Sequence, residues 1–134
     1  MPLGLGMDIV DVVDIEDSLR RFGDRYLRRV YTQREIADCA DGTDARRLAT
    51  HFAAKEAALK SLPIDIGDVD LRSVEVRLPG TGEPTLELSG AAADAARGAG
   101  IVTFAVSVGA TRRHAAAVVV AEGATTFDKE ERAR

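Results

Sequence analysis

The sequence has little cysteine, few aromatic residues and no long apolar run. Its single cysteine, Cys39, excludes an intrachain disulfide and any metal site built from several cysteines. The longest apolar run, residues 115–121, is far too short to span a bilayer. The N-terminus has no basic region, and Asp8 appears early, so no signal peptide is predicted. We therefore expect a cytoplasmic protein that does not insert into a membrane.

The chain also lacks an excess of positive charge. Its 134 residues include 18 Lys plus Arg and 22 Asp plus Glu, which gives a formal net charge of −4. An acidic total argues against general nucleic-acid binding, which needs a basic field. Hydrophobic residues make up 46% and charged residues 30%, as in ordinary globular domains. Since no linker or repeat divides the chain, we predict a single domain over residues 1–122 and a frayed tail over 123–134.

Hydrophobic spacing predicts an α+β fold. The longest predicted helix, residues 44–62, is rich in alanine and ends at Pro63. Thr32 and Glu35 have the spacing of a capping box, and Ser89 is predicted to cap another helix. The predicted helices are 12–22, 24–30, 32–40, 44–62 and 89–99, and the predicted strands are 3–10, 70–78, 85–88, 102–108 and 115–121. We expect a small, largely antiparallel sheet packed with a long central helix and shorter helices.

Asp8 is the first candidate for chemistry because it lies in an otherwise apolar predicted strand. One interpretation is that its carboxylate ends the strand and caps the following helix. The other is a metal ligand, because a carboxylate among Leu, Ile and Val loses solvation unless a cation or hydrogen-bond donors compensate. Both interpretations fit the sequence.

The predicted long helix carries the second candidate. Glu56 and Lys60 lie about 40° apart on one helical face, beside the apolar stripe that includes Phe52. They form either an ordinary solvated i,i+4 pair, worth a few tenths of a kcal/mol, or part of a site. Arg47, His51 and Lys55 form a separate stripe, which is either a solvated face or a surface that meets phosphates.

Basic residues are concentrated in one segment. Residues 20–34 contain six arginines and one acid, a local balance of 6 − 1 = +5, whereas residues 1–19 contain five acids and no base. The arginines are Arg20, Arg21, Arg25, Arg28, Arg29 and Arg34. They are either a solvated helical surface or a docking patch for an acidic partner, and we favour docking.

Three segments together resemble a known family. They are residues 6–10 (Gly-Met-Asp-Ile-Val), residues 23–30, and residues 52–57 (Phe-Ala-Ala-Lys-Glu-Ala) with Lys60. The sequence resembles the holo-acyl-carrier-protein synthases, the small 4′-phosphopantetheinyl transferases. The similarity extends from about residue 3 to 121 and includes the Gly82-x-Pro84 turn.

The resemblance implies transfer of phosphopantetheine from coenzyme A to a serine hydroxyl of apo-acyl carrier protein, of fatty-acid or polyketide type, with release of adenosine 3′,5′-bisphosphate. It implies a homotrimer with coenzyme A in the cleft between subunits. Asp8 and Glu56 would hold Mg²⁺, Glu56 would remove the serine proton directly or through a water, and Lys60 would stabilise or protonate the leaving phosphate. Coenzyme A binding is assigned to Arg47, His51, Lys55 and Lys60, and carrier docking to Arg20, Arg21, Arg25 and Arg28.

The chain departs from the family pattern at four places. Asp14 and His51 stand where many members have arginine. Residues 63–65 replace a common Gly-Thr-Gly, and Gly109-Ala110 replaces a frequent Thr-His or Ser-His pair. Two alternatives therefore remain beside the transferase: a non-catalytic carrier-binding module of the same fold, and a diverged activity in the same intersubunit cleft.

Overall fold

The computed structural model describes residues 1–124, in which helices and strands follow the predicted order. The strands are β1 (Pro2–Asp11), β2 (Val74–Arg77), β3 (Thr85–Leu88), β4 (Ile101–Ala110) and β5 (His114–Gly123). The α-helices are α1 (Val12–Phe22), α2 (Asp24–Val30), α3 (Gln33–Asp38), α4 (Ala45–Lys60) and α5 (Gly90–Gly98), and short 3₁₀ helices span Ile66–Asp68 and Leu71–Ser73. The α+β class is confirmed.

The strands form two antiparallel sheets. One has the order β1-β5-β4, and β2 and β3 form the other. The predicted hairpin of β4 and β5 is present, with Val106 opposite Val119. The long helix α4 packs on the three-stranded sheet, and its Leu48, Leu59 and buried alanines form the centre of the core. The sheet and α4 therefore make up the scaffold on which a site can be built.

Local hydrogen bonds set the ends of the helices. The capping box of Thr32 and Glu35 is present: Glu35 N donates to Thr32 Oγ1 at 3.2 Å, and Thr32 N donates to Glu35 Oε1 at 2.9 Å. Asp44 caps α4 by accepting from Arg47 N at 3.1 Å. Ser89 precedes α5, but its side chain makes no capping bond, so that part of the prediction is wrong.

Glycine lets β1 approach the backbone of α4 very closely. A Cβ atom on Gly6 would lie 1.8 Å from the carbonyl oxygen of Ala57, and one on Gly4 would lie 2.0 Å from that of Ser61. Such distances are impossible for any other residue without moving the helix. Because side chains two residues apart share a strand face, Asp8 points toward the same helix as Gly6. The close approach thus brings Asp8 next to the last turns of α4.

Two predicted boundaries need correction. Residues 71–73 form a 3₁₀ turn, because Asp70 Oδ1 accepts from Arg72 N at 2.9 Å and local bonding of this kind competes with strand pairing. The strand therefore begins only at Val74. Gly123, which the prediction assigned to the tail, belongs to β5 and pairs with Ile101 of β4. Residues 125–134 of the predicted tail lie outside the described residues.

No helix in residues 1–124 has the length and apolar character needed to cross a membrane.

The two faces of the three-stranded sheet differ. Its inner face is covered by α4. On its outer face Leu5, Met7 and Ile9 of β1 are 60–67% exposed, and they lie opposite Val120, Val118 and Ala116 of β5 in the pairing register. The part of this outer face that β1 and β5 form is apolar, which is unusual for a surface that remains in water.

Candidate active site

Asp8, Glu56 and Lys60 are brought together where β1 meets the end of α4. Lys60 Nζ donates to Asp8 Oδ1 at 2.9 Å and to the carbonyl oxygen of Met7 at 3.3 Å. Glu56 lies one helical turn before Lys60, and it lines a cleft of about 430 Å³ together with Asp8. Lys60 thus binds across to the strand, so the interpretation of Glu56 and Lys60 as only an intrahelical pair is wrong.

Asp8 does not cap the following helix. The N-cap position of α1 is occupied by Asp11, three residues later. The Asp8 side chain is 18% exposed in the interior of β1, and Lys60 is its ion-pair partner. Of the two interpretations of Asp8, capping is therefore wrong, and the one that remains is a carboxylate placed for binding.

The electrostatics of the cleft favour a cation. Partial burial raises the pKa of Glu56, the nearby Asp8 carboxylate raises it further, and Lys60 partly offsets both effects. Two carboxylates in a half-buried cleft repel each other, which is the cause of the Asp8 contribution. A cation between them would remove that repulsion and stabilise both as anions.

The donor set indicates which metal fits. Within residues 1–124, no three His, Cys, Asp or Glu side chains are grouped so that they could enclose a metal ion. Asp8 and Glu56 offer only carboxylate oxygens, the ligands that Mg²⁺ prefers. Mg²⁺ is commonly held by one or two carboxylates and completes its shell with water and substrate phosphates. The pair therefore fits Mg²⁺ bound together with a phosphorylated substrate.

The cleft has one wall from α1 and one from α4. Besides Asp8 and Glu56 it is lined by Ile9, Val10, Asp11, Asp14, Ile15, Ser18, Tyr26 and Phe52. The Asp11 carboxylate lies 3.1 Å from Nε2 of His114 on β5. Of the acidic and hydroxyl members, Asp14 and Ser18 lie on α1 and Glu56 lies on α4.

The prediction that Arg47, His51 and Lys55 form a surface stripe is wrong for two of the three residues. Lys55 is completely buried, and its Nζ donates at 2.5 Å both to Glu35 Oε1 and to the carbonyl oxygen of Val74. His51 is 1% exposed, with Nδ1 3.4 Å from Glu35 Oε2. Neither side chain reaches the surface of this chain, so neither can contact coenzyme A from its present position. Among the three, only Arg47 is exposed.

Glu35 is the residue that the sequence interpretation missed. It is fully buried and accepts hydrogen bonds from Thr32 N, Lys55 Nζ and, at 3.0 Å, from Val76 N. Burial alone raises the pKa of Glu35, but its hydrogen bonds from His51 and Lys55 outweigh this and keep the pKa below the ordinary value. The capping-box spacing identified Glu35 as a helix cap, and nothing in the sequence indicated that its carboxylate also binds α4 and β2.

Arg47 lies on a different rim of the molecule. It borders a depression of about 630 Å³ together with the turn that contains Gly82 and Glu83. Its neighbour Arg46 donates through Nη2 to the carbonyl oxygen of Ala110 at 3.0 Å, which fixes the end of β4 against the start of α4. Arg47 is therefore available to an anion that lies beside the β2–β3 turn.

The predicted docking arginines are exposed on two consecutive helices. Arg20 and Arg21 lie on the last turn of α1, and Arg25 and Arg28 lie on α2. Phe22, 51% exposed, lies next to them in the chain. Arg28 also borders a separate cleft of about 980 Å³, which contains none of Asp8, Glu56 and Lys60. Cys39 is buried, and burial raises the pKa of its thiol to about 12, so it is not a nucleophile.

A model of one protein family matches most of the chain. Residues 4–119 match the 4′-phosphopantetheinyl transferase superfamily. The chain belongs to this superfamily.

Similar proteins and solved structures support this assignment to the 4′-phosphopantetheinyl transferase superfamily. A holo-[acyl-carrier-protein] synthase of Koribacter versatilis is 45% identical over 125 residues, which cover 91% of this chain and 99% of that protein. The crystal structure of holo-[acyl-carrier-protein] synthase from Neisseria meningitidis superposes with a TM-score of 0.80 at 30% identity, covering 91% of this chain and 99% of that one. The Helicobacter pylori holo-[acyl-carrier-protein] synthase in complex with coenzyme A superposes with a TM-score of 0.76 at 28% identity, covering 88% of this chain and 99% of that one.

Proposed function

We propose that this transferase moves the 4′-phosphopantetheine group of coenzyme A to a serine hydroxyl of apo-acyl carrier protein in the cytoplasm. The observation that carries the proposal is that Asp8 and Glu56 line one cleft and Lys60 binds Asp8, in a chain that belongs to the phosphopantetheinyl transferases. The relatives named above are holo-[acyl-carrier-protein] synthases, and one of them binds coenzyme A.

The proposed reaction forms one phosphorus–oxygen bond and breaks another. The serine oxygen attacks the β-phosphorus of the coenzyme A pyrophosphate, and the bond from that phosphorus to the bridging oxygen breaks. Adenosine 3′,5′-bisphosphate leaves. Glu56 accepts the serine proton, directly or through a water.

Lys60 supplies positive charge to the leaving group. Its Nζ already lies at the carboxylate of Asp8, and the side chain is 42% exposed, so it can donate to a phosphate oxygen. Asp8 and Glu56 are the proposed ligands of Mg²⁺. When bound, this ion supplies Lewis-acid neutralisation of the pyrophosphate charge.

The surface arginines are proposed to bind the two substrates. Arg47, beside the β2–β3 turn, is placed to contact a phosphate of coenzyme A. Arg20, Arg21, Arg25 and Arg28 form the proposed carrier-docking surface, with exposed Phe22 as an apolar contact. The earlier assignment of His51 and Lys55 to coenzyme A is not kept, because both are buried in this chain. Their proposed role is to support α4 from within.

The outer face of the three-stranded sheet supports the proposed homotrimer. Leu5, Met7 and Ile9 are exposed there in a row, each opposite an apolar residue of β5. Burial of apolar surface contributes about 25 cal/mol per Å², so contact with further copies of the chain through this face would be stabilising. The C-terminal end of β4 carries Gly109 and Ala110, and these small residues leave room for a neighbouring copy of the chain.

The test is transfer itself. Purified protein, apo-acyl carrier protein, coenzyme A and Mg²⁺ are incubated, and the carrier is weighed by intact mass spectrometry. We expect the carrier mass to rise by one phosphopantetheine group, and no rise when Mg²⁺ is chelated. If several carriers bind but none gains mass, the chain is a carrier-binding module instead. If coenzyme A is consumed without modification of a carrier, the cleft has a diverged activity.

A further inference from the structure

A second cleft, of about 980 Å³, lies between the end of α2, the start of α3 and the start of α5. Small-molecule sites in proteins commonly have volumes of about 300–1,000 Å³, so this cleft has room for a small organic ligand. None of the proposed catalytic residues lines it. The polar side chains that line it include Arg28, Thr32, Asp70, Arg72 and Ser89. The chemistry of these side chains indicates which class of ligand fits.

This second cleft is rich in hydrogen-bond donors, whereas the candidate active site is rich in carboxylate acceptors. Arg28 and Arg72 present guanidinium groups, which only donate. Thr32 Oγ1 accepts from Glu35 N at 3.2 Å and keeps its own hydrogen for a further acceptor. The side chain of Ser89 makes no capping bond to α5, so its hydroxyl can also donate. A ligand that satisfies this cleft therefore supplies several acceptor oxygens.

Arg72 is oriented by Asp70, and the charges of the second cleft do not cancel. Nε and Nη2 of Arg72 donate to the Asp70 carboxylate at 3.1 and 2.8 Å. A planar guanidinium bound along this edge keeps Nη1 and the other hydrogen of Nη2 for a ligand. Asp70 is the one acid among the described residues that line the cleft. Arg28 forms no ion pair with residues 1–67 or 69–124, so its positive charge is left over.

We propose that this second cleft binds the phosphate group of a small phosphorylated molecule. Donors on three separate elements line the cleft: Arg28 on α2, Arg72 on the 3₁₀ helix Leu71–Ser73 and Ser89 before α5. A phosphate monoester has three terminal oxygens that accept from different directions and carries the negative charge that guanidinium groups bind best. The volume of the cleft leaves room for the organic part of the molecule. The inference goes beyond the proposed function, because this ligand is neither coenzyme A nor the carrier.

The test follows backbone amide signals by NMR while inorganic phosphate, and then glycerol 3-phosphate, is added to the metal-free protein. Sodium chloride at equal ionic strength is the reference. We expect saturable shifts at Arg72 and Ser89 and none at Lys60. The dissociation constant should be about 1 mM for inorganic phosphate and no weaker for the monoester. Arg72→Gln should weaken binding about tenfold, since it removes a charged donor. Arg97→Gln, which removes an arginine paired with Asp94 outside the cleft, should leave binding unchanged.

A matched pair of variants at Ser89 separates binding from folding. Ser89 is the N-cap residue of α5, and aspartate and asparagine are both favourable N-caps, so Ser89→Asp and Ser89→Asn should both keep the helix. Only Ser89→Asp places a negative charge in the cleft. It should weaken phosphate binding by about tenfold or more, whereas Ser89→Asn should bind nearly as the unaltered protein does. Thermal unfolding checks that both variants are folded.

Four outcomes overturn the inference. They are shifts at the cleft that chloride reproduces, equal binding by Arg72→Gln and Arg97→Gln, equal binding by Ser89→Asp and Ser89→Asn, and a cleft that takes inorganic phosphate but excludes glycerol 3-phosphate. The last outcome would restrict the site to the free ion. Because the titration contains neither coenzyme A nor carrier, its result does not depend on transfer. A protein that binds phosphate here but modifies no carrier would refute the proposed function alone.

Discussion

The helix α4 carries two ionic clusters of opposite character. Lys55 and Glu56 are adjacent in the chain and point about 100° apart. Lys55 is completely buried and is bound to Glu35 and to the backbone of β2. Glu56 lines an open cleft, with Asp8 as a like-charged neighbour.

The comparison shows how the surroundings of a charge decide its role. In the Glu35–Lys55 cluster each charge has an opposite charge and several hydrogen bonds, so it holds α3, α4 and β2 together. In the Asp8–Glu56–Lys60 cluster the two carboxylates have one exposed cation beside them, so an excess of negative charge remains that a metal ion can neutralise. Residues of the first cluster should therefore affect stability, and those of the second should affect activity.

The largest expected effect is on catalysis by Glu56→Gln. This change keeps the side-chain size but removes the base and a metal ligand, so kcat should fall by about 10³-fold or more. The melting temperature should hardly change, because Glu56 is not part of the buried cluster. Transfer is measured by carrier mass, and folding by circular dichroism. Retained activity would show that Glu56 is neither the base nor a metal ligand.

The next effect is on stability, from Lys55→Met. It leaves the Glu35 carboxylate buried without its cation, which should reduce the free energy of unfolding by about 3–5 kcal/mol. The double variant Glu35→Gln/Lys55→Met removes both charges and should recover part of the loss. Urea denaturation measures both. If Lys55→Met leaves stability unchanged but abolishes coenzyme A binding, Lys55 contacts coenzyme A as first predicted, despite its burial in this chain.

A smaller effect is expected from the charge reversal Arg21→Glu/Arg25→Glu. Because both arginines are exposed, the change should leave stability unaltered and raise the KM for the carrier by about tenfold, with the KM for coenzyme A unchanged. Arg97→Glu, an exposed arginine on α5, is the control. Equal increases in both KM values would argue against a docking surface.

The smallest effect is on the pH dependence of stability. The pKa of Glu35 in the folded chain lies below its unfolded value of 4.5, so at low pH Glu35 binds its proton more readily in the unfolded chain than in the folded one. The stabilisation by Glu35 is complete above pH 4.5 and is lost as the pH falls through the folded pKa. The Glu35→Gln/Lys55→Met variant should lose less stability over this range in urea denaturation. Equal losses would place the acid sensitivity in other carboxylates.

Much of the fold was predictable because the information is local. The capping box of Thr32 and Glu35, the turn at Gly82 and the alternation of β4 and β5 each depend on residues that are close in the chain. The candidates Asp8, Glu56 and Lys60 could be selected because each is a polar residue in or beside an apolar stripe. Lys55 and His51 were misplaced because an amphipathic projection cannot recognise a charge that is buried by a partner 20 residues away.

The sequence by itself determined the element order, the choice of Asp8, Glu56 and Lys60, and the reversal of charge between residues 1–19 and 20–34. Only the tertiary structure decided which charges meet. Gly4 and Gly6 allow β1 to lie against the backbone of α4, and this close approach places Asp8 at Lys60, 52 residues away. Glu35, folded beneath α4 by its bonds to β2, withdraws Lys55 from solvent. Both outcomes depend on contacts between distant segments, because the energy of a buried charge is set by the groups that surround it in space.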